Sequence, residues 1–176
     1  MKLQPPTSTM VLLAGLIASQ MGLPITPAGR VFLYNQKWDI PADDGLFVVL
    51  SLTGEKVTSS TLAYEPDPVG GGLNEVQTTN RRELYTVNLF SRSAEALNRR
   101  HEITFAFHST AAQQMAEANS LQIAPVAAAV NDVSDLEASA RLNRIAITVV
   151  VQRAYSRTIA VQSYDQFPGN ALLTEA

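Results

Sequence analysis

Residues 142–153, Leu-Asn-Arg-Ile-Ala-Ile-Thr-Val-Val-Val-Gln-Arg, constrain the fold more than any other segment. Ile145, Ile147, Val149 and Val151 alternate with Ala146, Thr148, Val150 and Gln152. A period of two puts the four large aliphatic side chains on one side of an extended chain. Such a strand needs a covered face, so the chain must build a sheet with a second layer packed against one side. The expected register has Ile145, Ile147, Val149 and Val151 facing the core. Thr148 and Gln152 then face a wetter side or a partner.

The rest of the chain supplies that sheet and its cover. Thr7–Thr9 follow Pro5-Pro6 and offer cap oxygens for a helix to about Met21, ended by Gly22 and Pro24. This helix is apolar on nearly every side, which predicts burial or an interface. Val31–Tyr34 reads as a short strand, Pro41–Gly45 as a turn and Leu46–Leu52 as an apolar central strand. Lys56–Tyr64 and Asn74–Ser91 read as the two arms of a long hairpin. The connecting run Glu65–Gly72 is rich in Pro and Gly, which forbid ladder pairing or free the backbone, so it forms the tip. Tyr85, Val87 and Leu89 alternate with Thr86 and Asn88, again half-buried. Ser93 can cap a second helix, with Glu95 in its first turn. Its wheel gathers Leu97, Ile103, Phe107, Ala111, Met115 and Ala118, and predicts one helix of about 25 residues, about 38 Å long. Pro125–Val130 reads as a short strand, and Tyr155–Ser163 pairs with or extends the strand Leu142–Arg153. From Phe167 onward the signals are weak and a weakly ordered tail is expected.

The sum is an α+β fold: a mixed, mostly antiparallel sheet, two helices packed on one face and a long protruding β-hairpin over about 55–91. No internal repeat or long linker divides residues 1–176, so a single domain is expected.

Composition narrows the function classes. Thirteen Lys plus Arg against sixteen Asp plus Glu give a net charge of −3, without the basic excess that phosphate neutralisation requires. There is no cysteine, which excludes disulfides, thiolate metal sites and cysteine nucleophiles. The apolar run Met10–Ala18 is too short for a membrane span. As a signal peptide it lacks a basic flank beyond Lys2 and a small-x-small cleavage site.

No motif demands catalysis, a metal or a cofactor. His101 and His108 are seven apart, whereas a zinc-binding helix needs His at i and i+4, and Phe105 stands at that position. Gly70-Gly71-Gly72 is followed by Leu73 and Asn74 rather than the Lys and Ser/Thr of a phosphate loop. Asp43-Asp44, Asp132 and Asp135 lie in turn-like segments and read as solvated. Lys2, Lys37 and Lys56 are the only lysines, so arginine dominates the basic residues, including Arg81-Arg82 and Arg99-Arg100. Arginine suits protein interfaces, and codon bias in a GC-rich genome gives the same enrichment; both readings stay open. Candidate interface residues are therefore Glu65, Pro66, Asp67, Pro68 and Val69 at the hairpin tip, with Arg81, Arg82, Arg99 and Arg100.

One ordering of elements is familiar. An apolar first helix precedes a strand ending Tyr34-Asn35-Gln36 and the apolar strand Leu46–Leu52. The strand Arg82-Glu-Leu-Tyr-Thr-Val-Asn-Leu-Phe90 runs into the helix Ser93-Ala-Glu-Ala-Leu-Asn-Arg-Arg100. The late strand Arg141–Val151 follows. Over roughly residues 8–163 this order resembles the neck and tail-terminator connector proteins of long-tailed bacteriophages. The resemblance implies a virion protein without catalytic residues, assembled in the host cytoplasm. Its copies would form a ring, commonly six-fold, that caps the tail tube and joins it to the head. Implied partners are further copies of itself, a tail-tube protein and a head-completion or connector protein, with genomic DNA passing through unbound and no membrane involved. The hairpin would reach a neighbouring subunit or the tube. Another virion part, such as a head-completion or tail-tube protein, is the nearest alternative. A small non-viral ligand-binding module acting through the hairpin tip is the alternative from a different class.

Overall fold

A computed structural model of the chain describes residues 8–24, 29–34, 41–68, 70, 72–124, 130–137 and 140–161. The strand Leu142–Arg153 proves to be the middle of a longer one, so the segment from Tyr155 extends it rather than pairing with it. The elements in order are α1 (Thr9–Gln20), β1 (Val31–Leu33), β2 (Phe47–Pro66), β3 (Leu73–Ser91), α2 (Glu95–His108), α3 (Thr110–Ala118), β4 (Leu121–Ile123), β5 (Val130–Asp132), β6 (Asp135–Glu137) and β7 (Ala140–Val161).

Three long antiparallel strands dominate, in the order β2-β3-β7, with β3 central. β1 adds to the β2 edge in parallel, opposite Val48–Leu50. β4, β5 and β6 each add antiparallel to β7. The sheet is thus mixed and mostly antiparallel, and the fold is α+β. The separate strands expected at Leu46–Leu52 and Lys56–Tyr64 are one strand, because the intervening residues pass through two bulges, at Leu52/Gly54 and Val57/Ser59, without leaving the ladder.

One face of this sheet carries the core. Val48 and Leu50, then Tyr85, Val87 and Leu89, then Ile145, Ile147, Val149 and Val151, pack beneath Leu13, Leu16 and Ile17 of α1 and Ile103 and Phe107 of α2. All four predicted core residues of β7 are buried, while Thr148 is half-buried and Gln152 exposed, so the register read from the alternation holds. α1 gives most of its surface to this core, and Val11 is its one large apolar side chain left exposed among the described residues. Its end follows the expected glycine rule. Gly22 adopts φ +63°, and Leu23 N–H reaches back to the Ala18 carbonyl at 2.8 Å, a Schellman closure.

The single 25-residue helix does not form. Ser109 takes extended angles (φ −74°, ψ 157°) and divides it into α2 and α3. Its hydroxyl accepts from Ala112 N–H at 3.1 Å and donates to the Ala106 carbonyl at 2.7 Å, serving both helix ends at once. The break lets Ala112 and Ala116 turn onto the core, and three helices cover the sheet where two were expected. The start of α2 also differs in detail. Ser93 Oγ accepts from Glu95 N–H at 3.3 Å, but the shorter bond to the helix start, Ala96 N–H at 2.9 Å, goes to Ser91 Oγ, from the last residue of β3. Asp43, expected to be simply solvated, pairs with both terminal nitrogens of Arg30 and accepts from Gly45 N–H. That pairing holds its carboxyl below the ordinary range. Of the segment 125–130, only Val130 lies among the described residues, at the start of β5. The tail from Phe167 lies outside them.

Substituting the two faces of β7 tests this architecture. Val149→Asp would bury a charge without a counterion and should cost several kcal/mol, leaving little soluble protein. Thr148→Asp should cost about 1 kcal/mol. Equal melting temperatures for the two variants would refute the register.

Candidate interaction surface

Each of the three long strands has a buried half and an exposed half. No residue of β2 from Leu52 to Pro66 is buried, none of β3 from Leu73 to Arg82, and none of β7 from Ala154 to Val161. These halves form a three-stranded arm. Its outer part, Ser59–Pro66 against Leu73–Asn80, spans eight residues in each strand, about 26 Å at ~3.3 Å per residue. The protruding hairpin read from the sequence is therefore present, with β7 as a third strand along it.

The tip is closed by Asp67 N–H bonding to the Gly72 carbonyl at 2.8 Å. Glu65 and Pro66 end β2, Asp67 and Pro68 form the turn, and Val69 lies outside the described residues. Arg81 and Arg82 lie at the root of the same arm, on opposite faces. Arg99 and Arg100 lie on α2, apart from the arm. Arg99 donates to Glu95, to Glu102 and to the Met21 carbonyl, tying α2 to the end of α1. Arg100 bonds the Leu97 carbonyl one turn back. The eight described candidates thus fall into an arm group and a helix group.

The two arm faces differ in chemistry. On the side that continues the helix-covered face lie Val57, Leu62, Tyr64, Leu73, Ile159 and Val161, of which the first four are more than 40% exposed, with Glu75, Gln77, Thr79 and Arg157 between and beside them. On the other side lie Ser59, Thr61, Asn74, Thr78, Asn80, Ser156 and Thr158, small and neutral, with Lys56 and Arg82 as register partners at the root. Hydroxyls and amides bridge strands there: Thr78 to Ser156 at 3.0 Å and Asn80 Nδ2 to Ser59 Oγ at 2.8 Å. Farther along this helix-free face, Arg144 reaches Asn88 Oδ1 at 3.0 Å and lies 5.3 Å over the Phe90 ring. Phe90 in turn stacks on Phe47 at 5.0 Å.

Where core gives way to arm, a buried polar group replaces the apolar column. Glu83 is 5% exposed and accepts from two phenols, Tyr85 at 2.7 Å and Tyr155 at 2.6 Å. The guanidiniums of Arg81 and Arg153 lie 5.2 and 5.4 Å from the Tyr155 ring. Arg153, buried, also donates to Thr9 Oγ1 at 3.1 Å and so ties the start of α1 to β7. Sequence reasoning missed this group. Its one legible trace is that Glu83 and Arg153 stand at core-facing positions of alternating strands, where a charge needs a partner.

Among the described residues no three His, Cys, Asp or Glu side chains gather as a metal site. His101, Phe105 and His108 share the outer side of α2, all exposed. A cleft of about 300 Å³ between α3 and β4 has His108 and Glu117 as its titratable lining. Among the described residues no helix is long and apolar enough to cross a membrane. No family model and no curated protein matches the chain.

The polar group predicts a pH response. Burial first, and then the Glu83 carboxylate beside them, hold the Tyr85 and Tyr155 phenols above their ordinary value. A raised folded-state value contributes stability that is complete below the unfolded value, about 10, and is lost as pH rises above it. Denaturant midpoints should fall between about pH 9 and pH 11. The fall should be smaller in Tyr85→Phe and Tyr155→Phe variants.

Proposed function

We propose that this protein is a structural virion component, a tail terminator or neck connector. Its copies close into a ring that caps the tail tube, joins it to the head and lets DNA pass. The observation that carries this reading is the arm: three strands projecting beyond their own core, exposed on both faces, with an apolar ridge along one. Chains do not normally leave Val57, Leu62, Tyr64 and Leu73 all exposed to water, and apolar side chains set along a strand edge in this way suit a protein partner. A head-to-tail contact between identical copies closes into a ring when its rotation divides the circle, and six is the order implied by the connector resemblance.

In this reading the helices lie outside and the helix-free face turns toward the lumen, because helices placed inside would fill it. Beyond Lys56 and Arg82 that face of the arm is Ser, Thr, Asn and Ala around a single larger apolar residue, Val76, with Glu65 near the tip. A neutral hydroxyl surface lets phosphates slide, whereas a basic wall would hold them by counterion release. The near balance of charge over the whole chain agrees. The protein performs no catalysis in this role, and its partners are its own copies, the tube and the head connector.

Imaging of the assembled particle tests the reading: a closed ring at the head–tail junction is expected, and a single copy or a linear array along the tail would overturn it. Replacing Pro66–Gly72 with a two-residue turn should leave the circular dichroism spectrum and melting temperature unchanged, since long surface loops cost little to shorten. The same variant should fail to assemble. Assembly that survives intact would remove the tip from the contact.

A further inference from the structure

Both outer strands of the arm end in open edges. β1 covers β2 opposite Val48–Leu50, and Tyr34 N–H extends that cover to the Leu50 carbonyl. From Leu52 to Pro66 the outer edge of β2 has no strand beside it among the described residues. β4 covers β7 as far as Arg153, and from Ala154 to Val161 that edge is likewise open. Natural sheets blunt such edges with lysines, prolines, bulges or short strands, because unpaired N–H and C=O groups invite another strand. Here the outer stretches lack those devices. Both bulges of β2 lie at the root, and from Val57 to Tyr64 there is no charge and no proline. Ala154–Val161 carries Arg157 alone and pairs with β3 without interruption.

Direction and chemistry identify the occupant. β2 and β7 are both antiparallel to β3, so they run the same way. A rotation about an axis along the strands preserves that direction and sets the open edge of β7 in one copy beside the open edge of β2 in the next. One repeated contact then occupies both edges. A two-fold contact of β2 with β2 would be antiparallel and would leave β7 open. The side chains agree: Leu62 and Tyr64 share a face with Tyr155, Arg157, Ile159 and Val161, so an apolar ridge on one edge meets aliphatic and aromatic side chains from the other.

We propose that a second copy of this chain is the partner of the arm, and that the contact is a parallel β-seam between Ala154–Val161 of one copy and Ser59–Tyr64 of the next. The arms then make one continuous sheet around the ring. This rests on the ring reading above and adds the surface, strand direction and residues that close it.

The absence of cysteine allows a disulfide test. Leu62→Cys is combined in turn with Arg157→Cys, Ile159→Cys and Val161→Cys, three positions on one face that cover different staggers of the seam. Within one copy β3 stands between β2 and β7, so Leu62 and Arg157 are about 10 Å apart at ~4.8 Å per strand spacing. That exceeds the ~7 Å that a disulfide can bridge between Cα atoms, so a bond must join two copies. After mild oxidation of concentrated protein, at least one double variant should give a ladder of covalent oligomers on a non-reducing gel. The single variants should give none, with unchanged circular dichroism. No ladder from any pair, or a dimer from Leu62→Cys alone, overturns the seam. Rings seen by imaging without a ladder overturn the seam and leave the ring reading standing. A ladder with only open arrays supports the seam and overturns the ring. In the unsubstituted protein, amides of both edges should exchange about tenfold or more slowly in assembled than in dilute protein, and equal rates would count against the seam.

Discussion

Everything in this molecule hangs on β3 being paired on both sides along its whole length. From Leu73 to Ser91 it has β7 on one flank, and from the tip to Phe90 it has β2 on the other. A strand satisfied on both edges needs no solvent for its backbone, so the same nineteen residues can serve as core floor at one end and as exposed arm at the other. The side chains change character along it, from Leu89 and Val87 to Thr79 and Gln77, while the backbone ladder does not. That continuity makes the arm an extension of the core rather than a loop. Position is transmitted along it without a hinge: both bulges lie in β2, and the β3–β7 ladder runs without a register shift.

The transition between those two regimes is where the buried charges lie. Glu83 would be costly there alone, since a carboxylate out of water loses several kcal/mol of hydration. Two phenols that donate to it offset part of that cost, and Arg153, over the Tyr155 ring, brings the start of α1 beside them through Thr9. The result is a joint between helix layer and arm built from directional bonds. Apolar packing alone tolerates sliding, whereas hydrogen bonds to a buried carboxylate define one geometry. In the proposed assembly role a projecting arm benefits from that, because ordering it at the moment of contact would weaken the association.

Arginine, whose enrichment composition leaves open between interface use and codon bias, also makes joints within the subunit. Arg30 grips Asp43, Arg92 reaches the Pro41 and Asp43 carbonyls, Arg99 clamps two glutamates and a carbonyl, Arg144 holds Asn88, and Arg153 is buried. Each planar fork ties one element to another within the subunit. The property that recommends arginine for interfaces, several directed donors from one group, serves equally well for internal joints.

Local pattern determined a good deal by itself. The alternation in Ile145–Val151 and Tyr85–Leu89 gave both the strands and their buried faces, because a period of two leaves no other way to segregate those side chains. Gly22 and the Pro/Gly run before Leu73 marked the end of α1 and the hairpin tip for reasons of backbone sterics that operate over a few residues. Tertiary structure alone decided the rest. The helix break at Ser109 pits a hydroxyl cap against helix continuation, and a continuous helical wheel favours continuation until Ala112 and Ala116 have a sheet to pack on. The fusion of Leu46–Leu52 with Lys56–Tyr64 depends on bulges that only the partner strand defines. Glu83, Tyr85, Tyr155, Arg153 and Thr9 are drawn from three separate segments, with 144 residues between bonded Thr9 and Arg153, and meet only because β7 returns beside β3 under α1. Likewise, which strand edges stay open is a property of neighbours, not of the strand itself, so no local pattern in β2 or β7 records it.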